Sequence, residues 1–297
     1  MSNKPLTILV TGANGQVGNE LQVLAPGFAD YRFLFVTKED LNIADAIATE
    51  KYFLTNPIDF CINCAAYTAV DKAETEQANA FLINADAVAG LAKICYENDT
   101  QLIHISTDYV FDGTANQPYK ETDKTNPVSV YGKSKLLGEE LAVQNAPSTI
   151  IIRTAWLYSS FKANFVKTML RLMKEKETLP ADRQGINVVS DQFGCPTYAA
   201  DLAAVIMQII TSNQSNKNPG IYHYSNTGIT NWYEFAVAIK KIMGSNCVIN
   251  PIITAQYPTA AKRPAYSVLD TSKIKETFKL HIPGWEDSLE RCLTLLK

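Results

Sequence analysis

Tyr131 and Lys135, in the stretch VYGKSK, stand four residues apart. On a helix that spacing places both on one face, with about 5–6 Å between Cβ atoms. A free tyrosine has a pKa near ~10 and a lysine near ~10.4. A neighbouring ammonium favours the phenolate and lowers the tyrosine value. A tyrosine tuned in this way can exchange a proton with a carbonyl or an alcohol near neutral pH. Upstream, ISTDYVFDG carries Thr107, whose hydroxyl can bond to the same oxygen. The pair alone also describes a surface tyrosine beside a solvated lysine. It becomes chemistry only if the chain can hold a hydride carrier.

The amino-terminal segment offers a place for one. TILVTGANGQVG (7–18) is an apolar, β-rich run feeding a turn with Gly12, Gly15 and Gly18, followed by the helical pattern Val17, Leu21, Leu24. Strand, glycine-rich turn and helix let the backbone approach a pyrophosphate at a helix N-terminus. The spacing is G-x-x-G-x-x-G rather than G-x-G-x-x-G, and a tight strand–helix turn alone would also need glycines. The second strand, RFLFVTK (32–38), ends on Thr37 and Lys38, with Glu39 and Asp40 beyond. An acid at such a strand end takes the ribose 2′-OH of NAD, whereas a cation suits the 2′-phosphate of NADP. Lys38 therefore predicts use of NADPH, with NADH possible. DFCINCAAYTAVDKAE (59–74) reads as strand, turn and helix start, which puts Asn63, Ala65, Ala66 and Tyr67 at a strand's carboxyl end.

Strands are predicted at 6–10, 32–37, 59–64, 101–106 and 148–153. Helices are predicted near 15–25, 45–55, 75–98 and 129–145. This alternation is that of an α/β, Rossmann-like doubly wound parallel sheet. The second half predicts helices at 162–175, 199–212, 231–243 and 285–296. Irregular stretches lie between them at 178–198, 213–230 and 250–268, and NQSNKNPG (213–220) reads as a polar surface loop. Two units follow: residues 1–155 as the NAD(P)-binding domain, and 156–297 as a smaller, irregular C-terminal substrate lobe with some segments returning to the first.

Composition excludes other classes. The net charge is −3, with no basic stripe for nucleic acid. No run approaches the ~18 apolar residues of a membrane span. MSNKPL runs straight into a strand, so no signal peptide is expected and the cytoplasm is the expected compartment. Cys61 and Cys64 form a C-x-x-C, but in a strand an odd spacing sends the two side chains to opposite faces. No second such motif exists, and His104, His223 and His281 are scattered. His104, within QLIHIST, reads as a buried histidine with its hydrogen bonds met, and no metal site is predicted.

GANGQVG, ISTDYVFDG and YGKSK resemble the extended short-chain dehydrogenase/reductases. NCAAYTAVDKAE, IRTAWLY, NFVKTMLRL, VVSDQFGCPTYAADLA, GIYHYSN and KRPAYSVLDTSK extend the resemblance, over nearly the whole length, to the dTDP-4-dehydrorhamnose reductases. That family reduces the 4-keto group of dTDP-4-dehydro-L-rhamnose with NADPH or NADH. The resemblance implies Tyr131 as proton donor, Lys135 as its electrostatic partner and Thr107 as the hydroxyl that tunes the oxygen. It places Gly15, Gln16 and Val17 along the pyrophosphate, and Ala66, Tyr67 and Thr68 beside the nicotinamide ribose. Near the adenine the family's L-D-x-T-D stretch reads LNIAD here, so Asn42, beside Ile43, replaces an acid. Thr107, Asp108 and Trp156 are implied at the deoxysugar. Arg263 is expected to grip the diphosphate, with Asn164 the next candidate. Some relatives dimerise around magnesium through glutamates. Glu20 matches one of these, but Ala200 stands where another would be, so the implied homodimer carries no predicted metal.

Two rival readings stay open. Sugar-nucleotide dehydratases place Asp-Glu directly after the threonine, and here Tyr109 takes the second place, so elimination is disfavoured. An epimerase uses the same Thr, Tyr and Lys. A dinucleotide-binding regulatory subunit without catalysis is the reading from a different class, although such relatives typically lose part of that set.

Overall fold

The computed structural model describes residues 5–178, 185–212 and 215–297. Five apolar runs form strands β1 (Leu6–Thr11), β2 (Tyr31–Val36), β3 (Phe60–Asn63), β4 (Gln101–Thr107) and β5 (Ile150–Thr154). β3 and β5 are buried along their whole length, and β1 beyond its first residue. Continuous apolar runs of this kind suit a parallel sheet covered on both faces. A sixth strand, β6 (Gly220–His223), pairs in parallel with β5, giving the order β6-β5-β4-β3-β1-β2. The chain leaves β1 in one direction for β2 and in the other for β3. A crevice therefore opens at the strands' carboxyl ends, where the order reverses.

Helices cover the two faces: α1 (Gln16–Leu24), α2 (Ala46–Thr55), α3 (Gln77–Glu97), α4 (Val130–Asn145) and α6 (Ala199–Thr211), with α5 (Phe165–Glu177) elsewhere. Alternate residues of each strand go to opposite sides. Ile8, Val10 and Ile62 pack with Leu21 of α1 and Leu202 and Ile206 of α6. Leu9, Cys61 and Leu102 pack with Val88 and Leu91 of α3 and Ala142 of α4. Cys61 and Cys64 accordingly lie with different cores, and both are free thiols. A separate core joins α5, α7 (Trp232–Met243) and α9 (Trp285–Thr294) to a parallel pair of strands, Gly185–Val189 and Val248–Ile252.

Elements of the second half depart from the sequence reading. β6 falls in the stretch predicted to be irregular, because a four-residue strand directly after Asn218-Pro219 shows no periodicity of its own. The Gly185–Val189 and Val248–Ile252 pair and the helix α8 (Ser272–Phe278) were also unpredicted. Residues 179–184 of one predicted irregular stretch, and 213–214 of the predicted polar loop, lie outside the described residues. One helix, α3, is long and apolar enough to cross a membrane by length and composition, contrary to the expectation that no run would be. Half of that window is buried, and α3 packs on α4 as a core helix.

α4 carries the chemistry of interest, and its start is set by Ser129, whose hydroxyl accepts from the Gly132 N–H at 3.1 Å. Its inner stripe is Tyr131, Ser134, Lys135, Gly138, Glu139 and Ala142, all buried. α3 contains a single π turn, Leu82–Asp86, and Gly138 sits directly on it. A Cβ at Gly138 would lie 1.9 Å from the Asn84 carbonyl oxygen. Gly138→Ala should therefore force α4 off α3 and destabilise the fold by about 1–3 kcal/mol. The measurement is the thermal midpoint by circular dichroism, and an unchanged midpoint would mean that α3 yields without cost.

Candidate active site

The loop after β1 and the loop after β3 meet at Gly12, whose φ is +62°. A Cβ there would lie 2.7 Å from the Ala65 nitrogen, so only glycine allows this approach. Gly15 caps α1 with no side-chain bond to its first turn, leaving that end to backbone N–H groups. A cleft of about 540 Å³ opens here, lined by Gly12, Gly15, Gln16 and Val17, then by Lys38, Asn42 and Ile43, and by Ala66 and Thr68. Thr107, Tyr131 and Lys135 line it as well. A bare helix N-terminus with a glycine cradle fits a dinucleotide pyrophosphate. Asp40 is folded back on Thr37, accepting from its N–H at 2.9 Å and its hydroxyl at 2.8 Å. Lys38 is thus the charged side chain that this strand end presents to the cleft.

Two residues expected at the cofactor lie differently. Gly18 packs on the turn, where a Cβ would meet the Ala13 oxygen at 2.6 Å. The Tyr67 hydroxyl donates to Glu76 Oε2 at 2.8 Å, directing the ring away. The Tyr67 backbone is instead clamped by Asn84, which accepts from its N–H at 2.8 Å and donates to its carbonyl at 3.0 Å. Asn84 also donates to Ser134 on α4 at 3.0 Å. It sits in the π turn, which no sequence pattern announces. Lys162 also lines the cleft and was not anticipated.

Tyr131, Lys135 and Thr107 do converge. Burial pushes the Tyr131 phenol well above its ordinary range, only partly opposed by the neighbouring Thr107 hydroxyl. The expected lowering by Lys135 is therefore not what dominates, and Tyr131 is fully protonated at neutral pH. Lys135 is 1% exposed. Its Nζ donates to the Ile105 carbonyl at 2.7 Å and lies 3.1 Å from His104 Nε2. Burial lowers its pKa to about 8. One turn further along α4, Glu139 accepts from Ser106 and forms an ion pair with Arg153 at 2.6 Å.

A second cleft, of about 470 Å³, is lined by Trp156, Arg263, Tyr109 and Gln192. The Tyr109 ring meets the Tyr131 ring edge-on at 5.5 Å, so the two clefts adjoin at the tyrosine. Trp156 holds φ +48° and stacks on Trp232 at 3.6 Å. Arg263 donates to Tyr109 at 3.1 Å and pairs with Asp71 at 2.5 Å, so its guanidinium is already partnered. Asn164 caps α5, accepting from Lys167 N–H at 3.1 Å, and donates to Gln16 at 3.0 Å and the Ser159 carbonyl at 2.7 Å. Those contacts engage its amide in structure.

A proton donor beside a dinucleotide cradle, on a doubly wound sheet, defines a nicotinamide-dependent oxidoreductase of the extended short-chain type. The profile of the RmlD substrate binding domain family matches residues 6–297, and the chain belongs to that family. A dTDP-4-dehydrorhamnose reductase of Aggregatibacter actinomycetemcomitans is 40% identical over 292 residues, 95% of this chain and 97% of the relative. The crystal structure of a dTDP-4-dehydrorhamnose reductase from Clostridium acetobutylicum superposes with a TM-score of 0.91 at 40% identity, covering 98% of this chain and 99% of that one. That of the Bacillus anthracis reductase, in complex with NADP, gives 0.91 at 37% identity with the same coverage.

Asp108 is 4% exposed. Its Oδ1 accepts from the Thr107 hydroxyl at 3.0 Å, while Oδ2 lacks a well-placed partner. Burial pushes its carboxyl up to about 6, against smaller lowering by Thr107 and the nearby Ser267 hydroxyl. A folded pKa raised above the unfolded value means stability that is full below about pH 4 and lost as pH rises through about 6. Asp108→Asn removes that loss. The variant should gain up to about 3 kcal/mol over wild type at pH 8, and nothing at pH 4. Urea denaturation at the two pH values checks this.

Proposed function

We infer that the protein reduces the 4-keto group of dTDP-4-dehydro-β-L-rhamnose to give dTDP-L-rhamnose, with NADPH as reductant and NADH as a weaker alternative, in the formation of dTDP-rhamnose. The observation that carries this reading is the convergence of Tyr131, Thr107 and Lys135 on the dinucleotide cleft at the point where it adjoins the second cleft. The bound dinucleotide supplies the hydride. Tyr131 gives its proton to the sugar 4-oxygen as negative charge develops there. Thr107 orients the tyrosine hydroxyl, and Tyr109 and Trp156 wall the adjoining cleft. We assign that cleft to the dTDP-sugar and residues 156–297 mainly to its binding, with Arg263, already held by Asp71 and Tyr109, as the cation nearest the diphosphate. Asn164 supports the site through Gln16.

A dehydratase would need a carboxylate base after Asp108. Tyr109 there is tied to Arg263, which leaves elimination without its base. An epimerase would return its cofactor unchanged, and a regulatory subunit would bind NADPH without consuming it. Purified protein, the keto-sugar and NADPH, followed at the nicotinamide absorbance, separates the reductase from both: stoichiometric oxidation supports the reductase alone. Tyr131→Phe should keep NADPH affinity and lower kcat by about 10²-fold or more, the loss of a general acid. A variant retaining over about a tenth of wild-type turnover would remove Tyr131 from that role. Lys38→Ala should raise KM for NADPH about tenfold while leaving NADH unaffected, since the 2′-phosphate contact is a charge-assisted one. Equal effects on both cofactors would show that Lys38 does not read the phosphate.

A further inference from the structure

His104 is fully buried on β4, directly beside Asn63 on β3. The Asn63 side chain is oriented by two donors. Thr11 Oγ1 donates to its Oδ1 at 2.7 Å, and the Ala65 backbone N–H does so at 3.2 Å. A backbone N–H can only donate, so Oδ1 must face it. The Asn63 Nδ2 group then faces His104 Nδ1, at 3.0 Å. An amide N–H also only donates, so Nδ1 is the bare nitrogen of the ring. Burial and the neighbouring lysine hold the imidazole neutral. Its single proton is therefore on Nε2, 3.1 Å from Lys135 Nζ. His223 provides the opposite case within the same fold. Its Nδ1 lies 3.0 Å from the Tyr119 carbonyl and must carry the proton.

An N–H aimed at Nζ finds an acceptor only when Lys135 is an uncharged amine. We propose that His104 is a positioning residue for the reduction: its Nε2–H stabilises the uncharged form of Lys135, so that Lys135 can return a proton to Tyr131 in each turnover. The proposal rests on Tyr131 being the proton donor. The balance closes. The Tyr131 O–H bond breaks as the product O–H bond forms. A Lys135 N–H bond then breaks and the Tyr131 O–H bond is restored. The lone pair left on Nζ accepts from His104, and a solvent proton later regenerates the ammonium. The Ile105 carbonyl accepts a Lys135 N–H in both states.

Other groups face Lys135 too. On α4, Tyr131 shares the buried stripe of Lys135 and Glu139 acts on its charge, as does Cys64 from the end of β3. Glu139 favours the ammonium, but its carboxylate is engaged by Arg153 and Ser106. Cys64 is a neutral thiol, pushed up to about 12 by burial. His104 is the neighbour whose donor favours the amine.

The test begins with cofactor-free wild-type protein labelled with ¹⁵N-histidine and ¹³Cε-lysine. Loss of signals in His104→Gln and Lys135→Arg assigns the two residues. His104 should show an unprotonated Nδ1 and a protonated Nε2, the reverse of His223. Lys135 should titrate near about 8 in wild type. In His104→Leu the titration should rise by about one unit or more, because the opposing donor is gone. In His104→Gln, whose amide reaches the same position, it should stay near wild type. In turnover, the basic limb of kcat should move upward with the leucine variant and return with glutamine, KM values holding. A proton found on His104 Nδ1 would overturn the proposal, and that measurement needs no variant to fold. So would a Lys135 titration unmoved in His104→Leu. If the nuclei behave as expected while wild type leaves NADPH unoxidised, the reaction is misassigned and the His104–Lys135 coupling stands.

Discussion

Everything at the catalytic end of the sheet depends on the ion pair between Glu139 and Arg153. Both side chains are 3% exposed or less, and they join α4 to β5 while Ser106 ties in β4. Two charges taken this far from water are tolerable only when each satisfies the other, and removing one partner of such a pair typically costs about 3–5 kcal/mol. Arg153 is further held by the Phe111 ring at 5.2 Å. With the pair in place, α4 can turn a polar stripe inward. That stripe is what brings a phenol and an amine to the strand ends. An apolar stripe would pack as well but would hold no proton at this point in the fold.

Burial does more than position these groups. It acts in opposite directions on an acid and a base, favouring the neutral form of each. Tyr131 is driven toward its phenol and Lys135 toward its amine. The sequence reading had the lysine charge pulling the tyrosine down. In the cofactor-free fold desolvation is the larger influence, and for a group that must arrive protonated at a ketone this is the useful direction.

How much was legible in the chain follows from the range of each interaction. The glycine turn, the five strands and the Tyr131–Lys135 face are local patterns, and periodicity and spacing revealed them. Gly12, Gln16, Lys38, Asn42, Ala66 and Thr68 lie along the first cleft as their positions implied. What escaped was set by partners far away in sequence. The Tyr67 ring goes to Glu76, the Asn164 amide is absorbed by a helix start and by Gln16, and Arg263 is claimed by Asp71. The π turn that delivers Asn84 has no periodic signature. His104 could be recognised as buried from its apolar strand, but its partner on α4 belongs to a pairing that only the folded sheet defines.

The place of β6 has a consequence for how the chain can be made. β5 is the edge of the sheet until residues 220–223 arrive, and its Ile150, Ile151 and Ile152 are fully buried only in the finished order. α6, which covers one face, also lies far downstream. A nascent chain that has emerged only through β5 would therefore present an open apolar edge able to pair with another copy. α5, one helix of the second core, and α6 lie in the chain between that edge and the strand that closes it. Synthesis must run well past the nucleotide-binding half before that half is protected, so early termination or pausing in this interval would favour aggregation over a smaller folded fragment.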